Sequence, residues 1–193
     1  MQGSHAESYA QLVRDRVAEI PVPEQFRDPD VLIGDGHTVT VARADQDRLR
    51  PVLTVGERLA VEAPRDVVKG VVAVHVARAH LGSPSPAGQW VPTLLIFSGV
   101  FCVFGLATGL APFLFIGGLG IIGGVLGWRA RIEAAHELRA RVHEADELAV
   151  TWVGRQSVVD GLRWLADRTD ADARPSGRLD PPTFHDRLAQ LSA

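Results

Sequence analysis

Residues 91 to 128 contain no charged side chain and consist mainly of Leu, Ile, Val, Phe and Gly. A single helix of that length would measure roughly 57 Å, whereas the hydrocarbon core of a bilayer is about 30 Å thick. Two helices of about 18 residues each would match that thickness. A break is expected near residues 108–112, because Gly109 favours a turn and Pro112 suits the first turn of a helix. The pattern predicts a transmembrane helical hairpin over 91–128.

The charges beside this hairpin predict its orientation. Arg78 and His80 precede it, Arg129 and Arg131 follow it, and the turn between the helices carries no charge. Positively charged flanks stay in the cytoplasm. The chain is therefore predicted to be an integral, two-pass membrane protein with both termini in the cytoplasm, and the lipid bilayer is its first predicted partner.

Composition limits what the two flanks can be. The net charge of −3 at pH 7 provides no basic field, which excludes nucleic acid as the main partner. Cys102 is the only cysteine, so the chain has no internal disulfide and no cysteine-based metal site. The flanks, 1–90 and 129–193, are each small for an independent core. We expect them to form one cytoplasmic domain that the hairpin interrupts.

Apolar periodicity predicts a mainly α-helical domain with a small β element. Before the hairpin, the patterns indicate a helix over about 5–20, short strands near 31–33, 38–42 and 51–55, and helices after Gly56 and Pro64. Residues 82–88 read as a linker. After the hairpin, apolar residues three and four apart predict a continuous helix that ends at Gly154, followed by another helix. A loop over 170–179 and a last helix from Pro181 complete the prediction.

Three stretches carry motif-like residues in a recognisable order. The first is 52–56, Val-Leu-Thr-Val-Gly, followed by 71–80, which reads Val-Val-Ala-Val-His-Val-Ala-Arg-Ala-His and contains His75. The second is Glu144-Ala145-Asp146 on the helix that follows the hairpin, and the third runs from Asp180-Pro181-Pro182 to Arg187. Together they resemble the zinc helix, the E-A-D segment and the terminal H-P-P-x-x-x-R segment of membrane zinc metallopeptidases of the HtpX and CAAX prenyl protease type.

This resemblance implies a metallopeptidase-like α+β domain and a role for each matching residue. His75 would correspond to the first zinc ligand of the H-E-x-x-H motif, and Glu144 to the third ligand. Asp146 would brace the zinc helix, and Arg187 would lie near the site. Each residue also has a simpler interpretation: a core histidine for His75, a surface ion pair for Glu144, and for Arg187 a contact with neighbouring carboxylates that closes the fold.

The chain departs from the family's motif at the positions that carry its chemistry. Val76 stands where the general-base Glu is expected, and Ala79 stands where the second His is expected. Two imidazoles reach one zinc when they are four residues apart, whereas His75 and His80 are five apart and point about 140° from each other. Val76 cannot exchange a proton with a metal-bound water. We therefore expect no catalytic residue and no cofactor.

Three functions remain open from the sequence. The leading prediction is a membrane-anchored, catalytically inactive relative of these peptidases that binds or regulates a protein or peptide. The first alternative is an active zinc metallopeptidase with a rearranged site of His75, His80 and Glu144. The second is a small structural membrane protein. Glycines at 117, 120, 124 and 127 predict close packing within the hairpin and are also compatible with a homodimer.

Overall fold

The computed structural model describes residues 2–43, 50–82, 91–169 and 180–192. It is mainly helical with a small three-stranded sheet, which confirms the predicted class at that level. Contacts divide the chain into two compact units. The mixed unit comprises Met1–Ser83, Arg139–Ser176 and Pro181–Ala193, and the apolar unit comprises Pro84–Leu138 and Gly177–Asp180.

The elements follow the predicted order. The helices are α1 Gln2–Ala18, α2 Glu57–Glu62, α3 Arg65–Leu81, α4 Val91–Thr108, α5 Ala111–Val153, α6 Arg155–Thr169 and α7 Phe184–Ser192. The strands are β1 Asp30–Gly34, β2 Val39–Ala42 and β3 Val52–Gly56. The last helix begins at Phe184 rather than at Pro181, so that prediction was three residues early. The predicted loop over 170–179, and all but the first residue of the predicted linker over 82–88, lie outside the described residues.

The sheet belongs to the mixed unit and covers part of its core. β3 is the central strand; β1 pairs with it in parallel and β2 pairs with it antiparallel. Alternate side chains on one face, including Val31, Leu53 and Val55, are buried. On the opposite face Leu32 is 54% exposed. This alternation is the period-two pattern of a sheet that is covered on one side.

α3 runs through the core of the mixed unit and crosses α6 at very short range. A Cβ added to Gly70 on α3 would overlap the backbone carbonyl oxygen of Ser157. A Cβ added to Gly161 on α6 would lie 3.0 Å from the backbone nitrogen of Val71. The two helix backbones therefore touch directly, and only glycine leaves room for this contact.

Two arginines satisfy the backbone carbonyls at the end of α3. Arg43 Nε donates to the Ala79 carbonyl at 2.6 Å and its Nη2 donates to the His80 carbonyl at 2.8 Å. Arg141 Nη1 donates to the Leu81 carbonyl at 3.2 Å. The last carbonyls of a helix have no partner inside the helix and carry partial negative charge, so guanidinium groups stabilise this end.

In the apolar unit, α4 and α5 pack as an antiparallel pair. Gly109, with a φ of 69°, makes the turn between them. An added Cβ on Gly120 would overlap Ser98 Oγ, and one on Gly124 would overlap the Leu95 side chain. These glycines thus face the neighbouring helix of the same chain, as small residues do where two apolar helices approach closely.

α5 contains the membrane-compatible part of the chain. Of the described residues, this helix alone is long and apolar enough to cross a membrane; the apolar stretch of α4, Thr93–Thr108, is shorter. Large apolar side chains point away from the helix pair, with Leu106 73% and Phe115 69% exposed. Beyond Gly127 the helix has no Gly or Pro until Gly154, whose φ of 86° ends it.

Candidate functional site

A buried ion pair joins the last helix to α5. Arg187 Nε donates to Asp146 Oδ2 at 2.7 Å, and Arg187 Nη2 donates to Asp146 Oδ1. Each residue is only 1% exposed. The guanidinium carbon also lies 5.4 Å from the centre of the Phe184 ring. The bidentate geometry uses both oxygens of the carboxylate, which is the strongest arrangement available to an Arg–Asp pair.

The local sequence of α7 sets the position of Arg187. The Thr183 backbone N–H donates to Asp186 Oδ2 at 3.0 Å, and the Asp186 backbone N–H donates to Thr183 Oγ1 at 3.2 Å. This reciprocal pair is a capping box, which fixes the first turn of the helix. Arg187 follows directly, and its own N–H donates to the Thr183 carbonyl at 3.1 Å.

α3 contributes His75 and Arg78, one helical turn apart, to the surroundings of this ion pair. Burial, and then the nearby guanidinium groups of Arg78 and Arg187, lower the pKa of His75 from 6.5 to about 3. Burial and Arg187 lower the pKa of Arg78 from 12.5 to about 10, while Asp146 opposes that shift. At pH 7 the imidazole is therefore neutral and the Arg78 guanidinium is charged.

We call His75, Arg78, Asp146 and Arg187 the polar cluster. It holds two cations and one anion, so its net charge is positive. Arg78 Nε is buried, and the described residues offer it no hydrogen-bond partner. An unpaired buried donor is costly, so this nitrogen is an unsatisfied polar atom in the cluster.

The polar cluster does not fit a zinc ion. His75 is its only neutral nitrogen ligand, and Asp146 already gives both oxygens to Arg187. The guanidinium groups have no lone pair to offer and repel a divalent cation. Across 2–43, 50–82, 91–169 and 180–192, no three His, Cys, Asp or Glu residues are grouped so that they could hold a metal ion.

The other two predicted ligands lie on exposed surfaces. Glu144 is exposed on α5. His80 is exposed in the last turn of α3, where its Nδ1 lies 2.8 Å from Gln25 Nε2 and its ring meets the edge of Phe26. As they stand, His75, His80 and Glu144 do not form a set of ligands for one ion.

The position that would carry the general base is part of the core. Val76 is 3% exposed and belongs to the hydrophobic cluster of the mixed unit. A carboxylate there would be buried among apolar side chains, where its charged form is strongly disfavoured. The burial of Val76 thus suits an apolar residue and not a base that reaches a metal-bound water.

A cavity of about 130 Å³ lies beside the ion pair. Its polar lining includes His143 and Glu147 from α5, Arg155 from the start of α6, and Gln190 from α7. A space of this size holds a few water molecules or one small chemical group, since a water occupies roughly 30 Å³ in the liquid. Sequence reasoning did not find Arg155 or Gln190, because neither belongs to a motif or to an apolar repeat.

Comparison with models of protein families, with curated proteins and with solved structures finds no match to the chain. The similarity to HtpX-type metallopeptidases therefore remains a prediction from three short stretches.

Proposed function

We propose that the chain is a membrane-anchored, catalytically inactive relative of HtpX-type metallopeptidases that binds or regulates a protein or peptide. One observation carries the proposal: His75, Asp146 and Arg187 come from the three stretches that resemble the family and interact in a single cluster. The three residues are 41 or more positions apart in the sequence, so local structure does not account for their proximity.

The electrostatics of the polar cluster support the inactive form over an active peptidase. Catalysis by a zinc peptidase requires a metal held by three protein groups and a base beside the bound water. Here the one candidate imidazole faces two guanidinium groups, and Val76 occupies the position of the base. The exposed Glu144 and the Gln25 contact of His80 give no support to the rearranged site.

The apolar unit supports the membrane anchor. We infer that α4 and α5 cross the bilayer as a two-pass hairpin, with residues 91 and 128 on the cytoplasmic side. All flanking arginines are then on that side, as the positive-inside rule requires. The mixed unit, built from both flanks, would be cytoplasmic.

A topology measurement tests the anchor. Reporters fused at Met1 and Ala193 should both be active in the cytoplasm, and a reporter inserted after Gly109 should be active on the opposite side. Glycine at that turn has a positive φ and no neighbour within 4 Å of an added Cβ, so the site has room for an insertion. Opposite compartments for the two termini would rule out the two-pass hairpin.

A metal measurement tests the inactive site. After incubation with excess zinc and gel filtration, the purified protein should retain no stoichiometric zinc and should not cleave casein. The His75→Gln variant should give the same values, because His75 is not expected to bind metal. One equivalent of zinc in the wild type that is lost in His75→Gln would favour the active alternative instead.

A further inference from the structure

We propose that the end of the apolar stretch at Trp128, Arg129 and Arg131 binds the headgroups of anionic phospholipids. We call these three residues the headgroup site. The proposal rests on the membrane anchor proposed above and adds which lipids the anchor selects.

The two arginines of the headgroup site are available to a ligand. Arg129 is exposed, and neither guanidinium forms an ion pair or hydrogen bond with the residues that the structure describes. The guanidinium carbon of Arg131 lies 5.9 Å from the centre of the Trp128 ring, within the range of a cation–π contact. The first carboxylate along the helix is that of Glu133, which is exposed and forms no ion pair with them either.

The arrangement on the helix suits a ligand that surrounds it. Residues two apart on an α-helix point about 160° apart, so Arg129 and Arg131 extend to opposite sides. A single small anion in solution could contact one of them but not both. Lipid headgroups form a continuous layer around the helix and can occupy both sides at once.

The position along the chain places the headgroup site at the depth of lipid phosphates. The uncharged stretch ends at Trp128, and the apolar side chains just before it are open, with Val125 56% and Leu126 63% exposed. Trp is enriched at membrane–water interfaces, where its ring sits at the headgroup level. Guanidinium groups bind phosphate oxygens through paired hydrogen bonds, and a negative lipid adds Coulomb attraction.

Electron paramagnetic resonance of spin-labelled lipids tests this selection on the full chain. The protein is reconstituted in phosphatidylcholine bilayers containing a trace of spin-labelled phosphatidylglycerol or spin-labelled phosphatidylcholine. The fraction of immobilised lipid then gives the relative association of each headgroup. We expect phosphatidylglycerol to be preferred by about fivefold at a position beside one arginine.

The variants assign that preference to the headgroup site. Arg129→Gln with Arg131→Gln should abolish it, whereas Arg129→Lys with Arg131→Lys should keep most of it. Arg27→Gln with Arg58→Gln removes the same charge from two exposed arginines of the mixed unit and should leave the preference intact. Millimolar inorganic phosphate should have no more effect than chloride at the same ionic strength.

Four outcomes would overturn the proposal. Equal association of the two lipids in the wild type, or equal loss in both glutamine pairs, would mean that the headgroup site selects nothing. Specific displacement by phosphate would identify a site for free phosphate. In these three cases immobilised lipid is still observed, so the membrane anchor survives. Failure to immobilise any lipid would instead reject the anchor itself.

Discussion

Asp146→Ala and Arg187→Ala should each lower the free energy of unfolding by about 3–5 kcal/mol, the usual cost of leaving one buried charge without its partner. Both residues are 1% exposed, so the charge that remains is largely shielded from bulk solvent. Asp146→Ala should cost the more of the two, because Asp146 also offsets the repulsion between the charges of Arg187 and Arg78. Denaturant unfolding of the detergent-solubilised protein, followed by tryptophan fluorescence, measures the change.

Two control variants test whether the loss of stability comes from leaving a buried charge without its partner. The double variant Asp146→Leu with Arg187→Met should recover most of the lost stability, since a buried ion pair can often be replaced by apolar residues of similar volume. Arg50→Ala breaks the exposed ion pair with Asp28, where both side chains are more than half exposed, and should cost less than about 1 kcal/mol. If the single variants at 146 and 187 lost no more unfolding free energy than Arg50→Ala, that result would contradict a buried ion pair.

Gly70→Ala should destabilise the mixed unit by about 3 kcal/mol, at the upper end of what overpacking costs. The new methyl group would overlap the Ser157 carbonyl oxygen, and backbone cannot move aside as a flexible side chain can. α3 and α6 would have to separate, which opens the core around Val71 and Leu162. The same unfolding measurement reports the loss.

A graded series of glycines checks that the cause is the helix crossing. Gly161→Ala meets Val71 N at 3.0 Å and should cost less than Gly70→Ala, because a shift of a few tenths of an ångström relieves it. Gly118→Ala, a helical position with nothing within 4 Å, should be neutral or slightly stabilising because alanine favours helix. Equal effects at 70 and 118 would show that the α3–α6 contact is not as close as described.

Features that depend on neighbouring residues were predictable from the sequence. Gly109 and Gly154 end helices because glycine readily adopts the positive φ found at both positions. The long helix between them continues beyond 127 because no Gly or Pro interrupts it before Gly154. The strands at 30–34, 39–42 and 52–56 lie within one or two residues of their predictions, because short apolar runs between turn residues mark them locally.

The parallel pairing of β1 with β3 could not be predicted from the sequence in the same way. Several strand orders satisfy three short apolar runs, and the choice depends on which faces the helices cover. β2 lies between the other two in sequence but at an edge in space. The helices that pack on the strands, α1 on β1 and α3 on β2, decide this order.

The sequence by itself determined the apolar stretch over 91–128, the absence of H-E-x-x-H and the helical period of α5. Only the tertiary structure decided which acid of Glu144-Ala145-Asp146 is buried in an ion pair. The two acids are two residues apart, so they point to nearly opposite sides of one helix, and the helical period cannot say which side is covered. Packing of α7 on α5 buries Asp146 against Arg187, 41 residues away, and leaves Glu144 in solvent. The buried charge requires a partner, whereas the exposed one is satisfied by water.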